Sequence, residues 1–152
     1  MTSFYPLTVS QVENLTIQSV AISFEIPAHL QSDFNFQAGQ YITIKHKIHG
    51  KEVRRAYSIS SAPAVSGPQA SITVGIKEVA GGAFSPYANR YIQKGDVLEI
   101  MPPQGRFLYA PTSEPVHILG VAAGSGITPI LPIAKSVLAS GSKHTFTLIY
   151  GN

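Results

Sequence analysis

The sequence predicts an all-β, six-stranded antiparallel Greek-key barrel followed by an incomplete strand–helix–strand segment of an α/β domain. Short runs of alternating or β-branched residues, separated by Pro and Gly, fill residues 1–111. A nearly continuous apolar run begins at Val116, and apolar residues at helical spacing follow it. We therefore expect a β-barrel domain over residues 1–111 and the first part of an α/β domain over residues 112–152.

Six segments of the first part have the pattern expected of strands. Apolar residues alternate with small or polar ones from Val20 to Ile26, which is a period of two. His49-Gly50 lies between two such runs and indicates a hairpin. Short strands punctuated by Pro and Gly are typical of a small antiparallel barrel. The six predicted strands are Leu7–Val12, Val20–Ile26, Tyr41–Lys45, Val53–Ile59, Ser71–Lys77 and Val97–Ile100.

The second part contains one strand–helix–strand unit. The run Val116–Ala123 is typical of a strand buried on both faces, and Thr145–Tyr150 is a second apolar strand. Pro129 suits the first turn of the intervening helix, Pro132 is expected in that same turn, and Gly141 suits the position after its end. Because two parallel strands and one helix do not cover both faces of a sheet, we expect this segment to self-associate or to be disordered.

The composition narrows the function. The chain has no Cys, so these residues supply no disulfide, thiolate metal ligand or cysteine nucleophile. The net charge is only +3, and the basic residues form no stripe, which argues against a nucleic-acid partner. The five His residues lack metal-ligand spacing, so we expect no metal site. Without a leader-like start or a long apolar run, a cytoplasmic protein without a membrane partner is expected.

The segment Gly124–Pro129 joins an apolar strand to an amphipathic helix. Glycines at such a junction let the backbone approach a phosphate, and the helix start presents free N–H groups. Ile130 stands where a dinucleotide fingerprint has its last glycine, so the segment is not the standard motif. A tight strand-to-helix turn without a ligand is the alternative interpretation.

The segment Gly81–Asn89 contains two glycines and a second helix start. Ser85 is predicted to be the N-cap and Pro86 the first helical residue, which would create another anion-binding helix start. An ordinary loop and a short helix explain the same residues.

The segment Arg55–Ser61 lies late in a predicted strand. Alternation places Arg55, Tyr57 and Ile59 on one face, where an arginine can bind a phosphate and an aromatic ring can stack on a flat ligand. The alternative is a surface arginine beside a half-buried tyrosine.

In this order, the three segments resemble the ferredoxin–NADP reductase superfamily, in which an FAD-binding antiparallel barrel precedes a nicotinamide-nucleotide domain. Arg55-Ala-Tyr-Ser58 resembles the Arg-x-Tyr-Ser flavin motif of that superfamily. Gly81–Ser85 resembles its FAD-pyrophosphate segment, and Gly124–Pro129 resembles the start of its nicotinamide domain. The resemblance extends over the whole chain.

A narrower similarity is carried by Met101–Phe107, Ala123–Pro129 and Leu148–Asn152. These segments are similar to reductase subunits of the phenylacetyl-CoA epoxidase type, which act in phenylacetate catabolism. Such subunits continue through the nucleotide domain into a plant-type [2Fe–2S] domain. The resemblance thus implies that this chain is truncated within the NAD(P) domain and that any [2Fe–2S] cluster belongs to an absent C-terminal domain.

The resemblance also implies a role for each site residue. Arg55 pairs with the FAD pyrophosphate, and Tyr57 packs on the isoalloxazine. The implied catalytic residues are Ser58, near flavin N5, and Thr128, where the nicotinamide meets the flavin. The residues implied to bind FAD are Arg55, Ala56, Tyr57, Ser58, Ile76, Lys77, Gly81, Gly82, Phe84, Ser85 and Thr128. The residues implied to border NAD(P) are Gly124, Ser125, Gly126 and Thr128.

The implied activity is hydride transfer from NAD(P)H to the flavin, followed by transfer of single electrons to an iron–sulfur centre that serves an oxygenase. Oxygenase subunits are therefore the expected partners. Two alternatives remain: a ferredoxin or flavodoxin reductase of another subfamily, and a binding barrel without flavin. We expect FAD binding, but not turnover, from these 152 residues alone.

Overall fold

A six-stranded antiparallel sheet forms the larger part of the molecule. The computed structural model describes residues 3–110, 112–141 and 143–152. The strands are hydrogen-bonded in the order β4-β3-β6-β1-β2-β5. All six predicted strands are confirmed, and β1, β3 and β6 extend further than predicted. Their bounds are β1 Tyr5–Thr16, β2 Ser19–Glu25, β3 Tyr41–Ile48, β4 Lys51–Ser58, β5 Ser71–Lys77 and β6 Val97–Gln104.

The two outer strands of this sheet meet and close it into a barrel. An antiparallel bridge joins Ile59, just after β4, to Val74 in β5. The backbone N–H of Ser60 donates to the carbonyl of Thr73 at 2.8 Å beside this bridge. β6 returns to pair with β3, the first of the consecutive strands β3, β4 and β5, which is a Greek-key connection. The predicted Greek-key barrel is therefore confirmed.

The hairpin between β3 and β4 sets the register of the strand that carries Arg55. His49 and Gly50 have φ values of 47° and 79°, as a two-residue hairpin turn of type I′ requires. Pairing runs from Ile48 opposite Lys51 to Tyr41 opposite Ser58. The predicted hairpin is confirmed.

Alternating apolar side chains fill the barrel. Phe24, Ile42 and Ile100 are fully buried, and full burial of a side chain of this size contributes about 1.5–3 kcal/mol. A short helix, α1 (Phe84–Arg90), closes one side and adds Phe84 and Ala88 to the same core. This packing fixes α1 against the strands beside it.

The second part of the chain forms a strand–helix–strand unit whose sheet is covered on one face. The elements are β7 (His117–Ala123), a 3-10 turn (Gly124–Gly126), α2 (Ile127–Ser140) and β8 (Thr145–Gly151), with β7 and β8 parallel. Leu119 and Val121 are 58% and 65% exposed on β7. The prediction that β7 is buried on both faces is wrong, because α2 covers only one face. The alternative expectation of disorder is wrong for β7, α2 and β8.

Helix α2 begins earlier than the sequence predicted. The 3-10 turn leads directly into Ile127, so Pro132 is the sixth helical residue and lies inside the helix rather than in its first turn. Gly141 follows the helix as predicted, in an extended conformation that any residue adopts. The ring of His144 packs closely against Gly141, and an added Cβ on Gly141 would lie 2.9 Å from the Nε2 atom of His144.

A second apolar cluster fastens α2 to the barrel. Ala38, from the loop before β3, packs with Ile133 and Val137 of α2. Tyr109, from the segment after β6, packs against the same cluster. Pro111, at the predicted domain boundary, lies outside the described residues, as do Met1, Thr2 and Ser142. The longer of the two described α-helices has 14 residues, and no described helix is long and apolar enough to cross a membrane.

Candidate functional site

A cleft of about 360 Å³ lies between β4 and the segment that follows β5. It joins two segments that the sequence singled out separately, Arg55–Ser58 and Gly81–Ser85. We call it the arginine cleft. It is lined by Arg55, Ala56, Tyr57, Lys77, Val79, Gly82, Ala83, Phe84 and Ser85.

The guanidinium of Arg55 is one of two cationic groups that line the arginine cleft, the other being the ammonium of Lys77. Its Nη1 donates to the carbonyl of Arg54 at 2.7 Å, and the side chain is exposed. Arg54 is instead paired with Glu52, at 2.7 Å between Nη2 and Oε1. Within residues 3–110, 112–141 and 143–152, Arg55 makes no ion pair. Its charge and remaining N–H groups are therefore available for an anionic ligand.

Tyr57 gives the cleft an aromatic wall. Its ring packs against that of Phe84, with 5.9 Å between centroids and a tilt of 40°. Burial raises the pKa of Tyr57 to about 12, although the nearby charge of Arg55 lowers it in part. The phenol is therefore neutral at physiological pH, and its ring can lie against a flat ligand.

The floor of the cleft is a tight turn between β5 and α1. Gly81 has a φ of 73°, and the N–H of Gly82 donates to the carbonyl of Val79 at 2.9 Å. An added Cβ on Gly82 would lie 2.9 Å from that same carbonyl oxygen. Glycine is therefore required at position 82 for the turn to keep this shape.

Ser85 has a different role from the one predicted. α1 begins at Phe84 with Ala83 as its N-cap, so Ser85 and Pro86 are the second and third helical residues. The prediction of Ser85 as N-cap and Pro86 as first residue is wrong. Ser85 Oγ instead accepts a hydrogen bond from the N–H of Val79 at 3.0 Å. It closes the turn across the cleft floor.

A second cleft, of about 230 Å³, lies between the barrel and the start of α2. Here Thr128 Oγ1 donates to the carbonyl of Ser125 at 2.9 Å, and Tyr150 Oη donates to that of Gly124 at 3.2 Å. Lys77 lines both clefts. We call this one the threonine cleft, and it is lined by Leu15, Thr16, Ser19, Gly75, Ile76, Lys77, Gly124, Ser125, Ile127, Thr128, Tyr150 and Asn152.

A close contact between Gly75 and Thr128 sets the width of the threonine cleft. An added Cβ on Gly75 would lie 3.0 Å from Thr128 Cγ2. β5 and the start of α2 therefore approach closely because position 75 has no side chain. This approach places the predicted nucleotide segment beside Lys77.

Several predicted site residues contribute little or nothing to these two clefts. The Ile76 side chain is 1% exposed and points into the barrel core, so it presents little beyond its main chain to a ligand. Ser58 lies opposite Tyr41 in β3 and lines neither cleft. Gly81 and Gly126 also fall outside both linings.

The structure adds a third cleft, of about 510 Å³, that the sequence did not predict. It lies between the β3–β4 hairpin and α1, and it meets the arginine cleft at Gly82 and Ala83. The available signal was the four-residue spacing of Tyr87, on α1, and Tyr91, at the end of that helix. We call it the hairpin cleft; it is lined by Ile48, His49, Lys51, Val53, Gly82, Ala83, Pro86, Tyr87, Arg90 and Tyr91.

Together these surfaces suit a long ligand with a flat ring and a diphosphate. The arginine cleft offers an aromatic face, a guanidinium without an acidic partner among the described residues, and a glycine turn. The hairpin cleft offers further aromatic and cationic side chains next to it. Such groups bind phosphates and stack on ring systems.

The comparisons with known proteins agree with this chemistry. Residues 6–109 match the family model described as the oxidoreductase FAD-binding domain. The chain is 44% identical over its full length to one component of the 1,2-phenylacetyl-CoA epoxidase of Escherichia coli K12, and it covers 42% of that protein. It is 33% identical, over 96% of its length, to the ferredoxin reductase component of the 3-ketosteroid-9-alpha-monooxygenase of Rhodococcus rhodochrous, and covers 40% of it.

A solved structure shows the same fold. The flavohem-like FAD/NAD binding domain of the nitric oxide dioxygenase of Vibrio cholerae superposes with a TM-score of 0.82 and is 26% identical. The match covers 99% of this chain and 63% of that one. The chain thus spans about two fifths of the length of the two curated relatives.

Proposed function

Because the chain belongs to the family of oxidoreductase FAD-binding domains, we propose that it binds FAD as the flavin-carrying part of an NAD(P)H-dependent electron-transfer reductase. The observation that carries this proposal is the arginine cleft. It unites a cation, an aromatic face and a glycine turn from two separate segments. The cation and the glycine turn suit the diphosphate of FAD, and the aromatic face suits its ring system.

We assign the diphosphate to Arg55 and to the turn at Gly82 and Ser85. The Arg55 guanidinium makes charge-assisted hydrogen bonds, which are roughly twice as strong as neutral ones. The turn lets a phosphate approach the backbone, since Gly82 has no side chain. Tyr57 packs against the flavin ring, and the buried Phe84 holds the tyrosine from behind. Ala56 lines the same surface.

The adenosine end of FAD is assigned to the hairpin cleft. This cleft continues from Gly82 and Ala83, and it offers the rings of Tyr87 and Tyr91 for stacking. Lys51 adds a positive charge to the lining of this cleft, which would suit the phosphates of a bound FAD. The chain is therefore expected to prefer FAD to FMN. Equal affinities for the two flavins, measured by titration, would contradict the use of the hairpin cleft.

The nicotinamide nucleotide is assigned to the threonine cleft. We assign Thr128 to the nicotinamide end and Gly124 and Ser125 to the phosphates, whereas Gly126 lies outside the cleft lining. Lys77 lies between the two clefts and can neutralise charge on either ligand. When bound, FAD takes two electrons from the reduced nucleotide and releases them singly. The chain's own residues orient both ligands and exclude water between them.

The larger assembly is part of the same proposal. The similarity to a component of a phenylacetyl-CoA epoxidase and to a reductase component of a monooxygenase supports a role in serving an oxygenase. We place the acceptor in an iron–sulfur centre, of the [2Fe–2S] type, on another part of the longer protein. Residues 1–111 then form the FAD domain, residues 112–152 belong to the NAD(P) domain, and the protein acts in the cytoplasm.

Self-association of this chain is proposed through the outer face of the β7–β8 sheet. Leu119, Val121 and Ile149 are all more than half exposed there. Sedimentation equilibrium should show a concentration-dependent dimer that Val121→Ser weakens. A wild-type chain that remains monomeric at high concentration would contradict this part.

Reduction of the FAD-loaded chain tests the proposed function. Anaerobic addition of NADH or NADPH should bleach the flavin absorbance slowly in a single stoichiometric reduction, without sustained turnover, and a [2Fe–2S] ferredoxin added next should be reduced. A variant with Thr128→Ala should bleach more slowly while it retains FAD. If FAD is bound but neither nucleotide bleaches it, in this chain or in a longer form, the reductase role is wrong.

A further inference from the structure

The tip of the β1–β2 hairpin forms a wall of the threonine cleft. Leu15, Thr16 and Ser19 line the cleft from the barrel side, together with Ser125 and Thr128 from the start of α2. No sequence motif pointed to this hairpin. Leu15 is 53% exposed, which leaves a large apolar side chain beside a cleft that also carries the hydroxyl groups of four Ser and Thr residues.

The hairpin tip is held firmly in place. Thr16 Oγ1 and Ser19 Oγ lie 2.7 Å apart, and the N–H of Gln18 donates to Thr16 Oγ1 at 3.2 Å. The carbonyl of Gln18 accepts from the N–H of Glu78 at 2.7 Å. Ser19 also pairs with Lys77 across β2 and β5. Leu15 is therefore fixed relative to the lysine shared by both clefts.

The lining of the threonine cleft contains hydroxyl groups, one ammonium group and apolar side chains, which suit different parts of a nucleotide. Hydroxyl groups of Thr16, Ser19, Ser125 and Thr128 suit the carboxamide and ribose of a nucleotide, and the Lys77 ammonium suits its phosphate. Leu15 supplies an apolar surface that suits the neutral dihydronicotinamide ring of the reduced nucleotide. Burial of half-exposed apolar surface by a ligand is favourable by about 25 cal/mol per Å².

We propose that Leu15 is a positioning residue for the nicotinamide nucleotide, packing against its ring from the hairpin side of the threonine cleft. The proposal rests on the assignment of that cleft to NAD(P)H. It extends the assignment to an element that lies in the first barrel hairpin, far in sequence from Gly124–Thr128. Leu15 acts by contact and orientation, and it takes no part in proton or electron movement.

The chain contains a matched control on the same hairpin. Ile17 is fully exposed, two residues beyond Leu15, and does not line the cleft. Leu15→Ser and Ile17→Ser remove similar apolar groups from one hairpin, but only the first removes a wall of the cleft. Leu15→Met keeps the apolar contact and serves as the conservative rescue.

The test is a titration of the full chain with reduced nicotinamide mononucleotide. Binding is followed by NMR through the backbone amides of Lys77 and Thr128. Because the contact buries part of one leucine, Leu15→Ser should weaken binding about fivefold. Leu15→Met and Ile17→Ser should remain within about twofold of wild type. Far-ultraviolet circular dichroism checks that each variant is folded, and an FAD titration runs in parallel.

Equal affinity of wild type and Leu15→Ser would overturn the proposal. An equal loss in Ile17→Ser, or no rescue by Leu15→Met, would also overturn it, since the effect would then belong to the hairpin in general. If the wild type takes up FAD but the mononucleotide does not shift the cleft amides, this inference fails while FAD binding stands. Failure of FAD uptake itself would instead remove the proposed function.

Discussion

The ring of Phe84 packs against the ring of Tyr57 at 5.9 Å between centroids, and this contact joins helix α1 to strand β4. Phe84 is buried in the barrel core, so the inner side of Tyr57 is supported by a fixed group. His46 extends the aromatic cluster, with its ring 6.4 Å from Phe84 and 5.0 Å from Tyr87. The wall of the arginine cleft is therefore part of the fold rather than a mobile surface side chain.

The first prediction concerns the pH dependence of stability. Burial raises the pKa of Tyr57 to about 12, above the usual tyrosine value of 10.0. Between those values the unfolded chain loses this proton and the folded chain keeps it, so the free energy of unfolding falls as pH rises from 10 to 12. The stabilisation that this pKa difference gives to the folded chain is fully present below pH 10 and is lost as the pH rises through about 12. Urea denaturation at several pH values should show this fall in wild type and a smaller one in Tyr57→Phe. Identical pH dependence of the two proteins would contradict the buried environment of Tyr57.

The second prediction separates two adjacent arginines. Arg55→Ala should weaken FAD binding by about 2 kcal/mol, or roughly 30-fold, because it removes charge-assisted hydrogen bonds to the diphosphate. Arg54→Ala is the control, since Arg54 is exposed, paired with Glu52 and outside the cleft lining. Isothermal titration calorimetry with FAD measures the FAD affinity of both variants. An equal effect of the two substitutions would mean that only general positive charge matters.

The third prediction concerns the turn at Gly82. Gly82→Ala places a Cβ 2.9 Å from the main-chain oxygen of Val79, so the turn has to shift. We expect a loss of about 1–3 kcal/mol in unfolding free energy, as for overpacking elsewhere, together with weaker FAD binding. Gly151→Ala is the matched control, because nothing lies within 4 Å of its Cβ position. Unchanged FAD affinity in Gly82→Ala would show that the diphosphate does not use this turn.

The fourth prediction concerns the junction between the barrel and α2. The hydroxyl of Tyr109 is buried and finds no hydrogen-bond partner among the described residues. An unsatisfied buried hydroxyl costs about 1–3 kcal/mol. Tyr109→Phe keeps the ring in the apolar cluster and removes that cost, so it should raise the free energy of unfolding by about 1 kcal/mol. Thermal and chemical denaturation measure this change, and clear destabilisation would contradict the environment described for Tyr109.

Local patterns in the sequence predicted most of the barrel. The alternation from Val20 to Ile26 predicts a strand with one face in the core, and the structure buries that face. The dipeptide His49-Gly50 predicts a hairpin turn, and both residues have the positive φ values of such a turn. Only the family resemblance predicted that Arg55 and the turn at Gly82 contribute to one site, as they do in the arginine cleft. No local pattern connects two segments that meet only in the folded chain.

The remaining features depended on tertiary contacts. Ser85 was expected to cap α1, but the N–H of Val79 across the turn offers the hydroxyl another hydrogen bond. The burial of β7 was overestimated because it depends on what covers its outer face, where Leu119 is exposed. The hairpin cleft forms between two elements that are separated in sequence by all of β5, namely the β3–β4 hairpin and α1.

Equilibrium titration of the purified chain with FAD tests the central claim most directly. The quenching of flavin fluorescence should saturate with one FAD bound per chain, and the bound flavin should remain with the protein through gel filtration. Arg54→Ala should give the same curve, whereas Arg55→Ala should need a much higher FAD concentration. A folded chain that shows no saturable quenching, and emerges colourless from the column, would contradict the account.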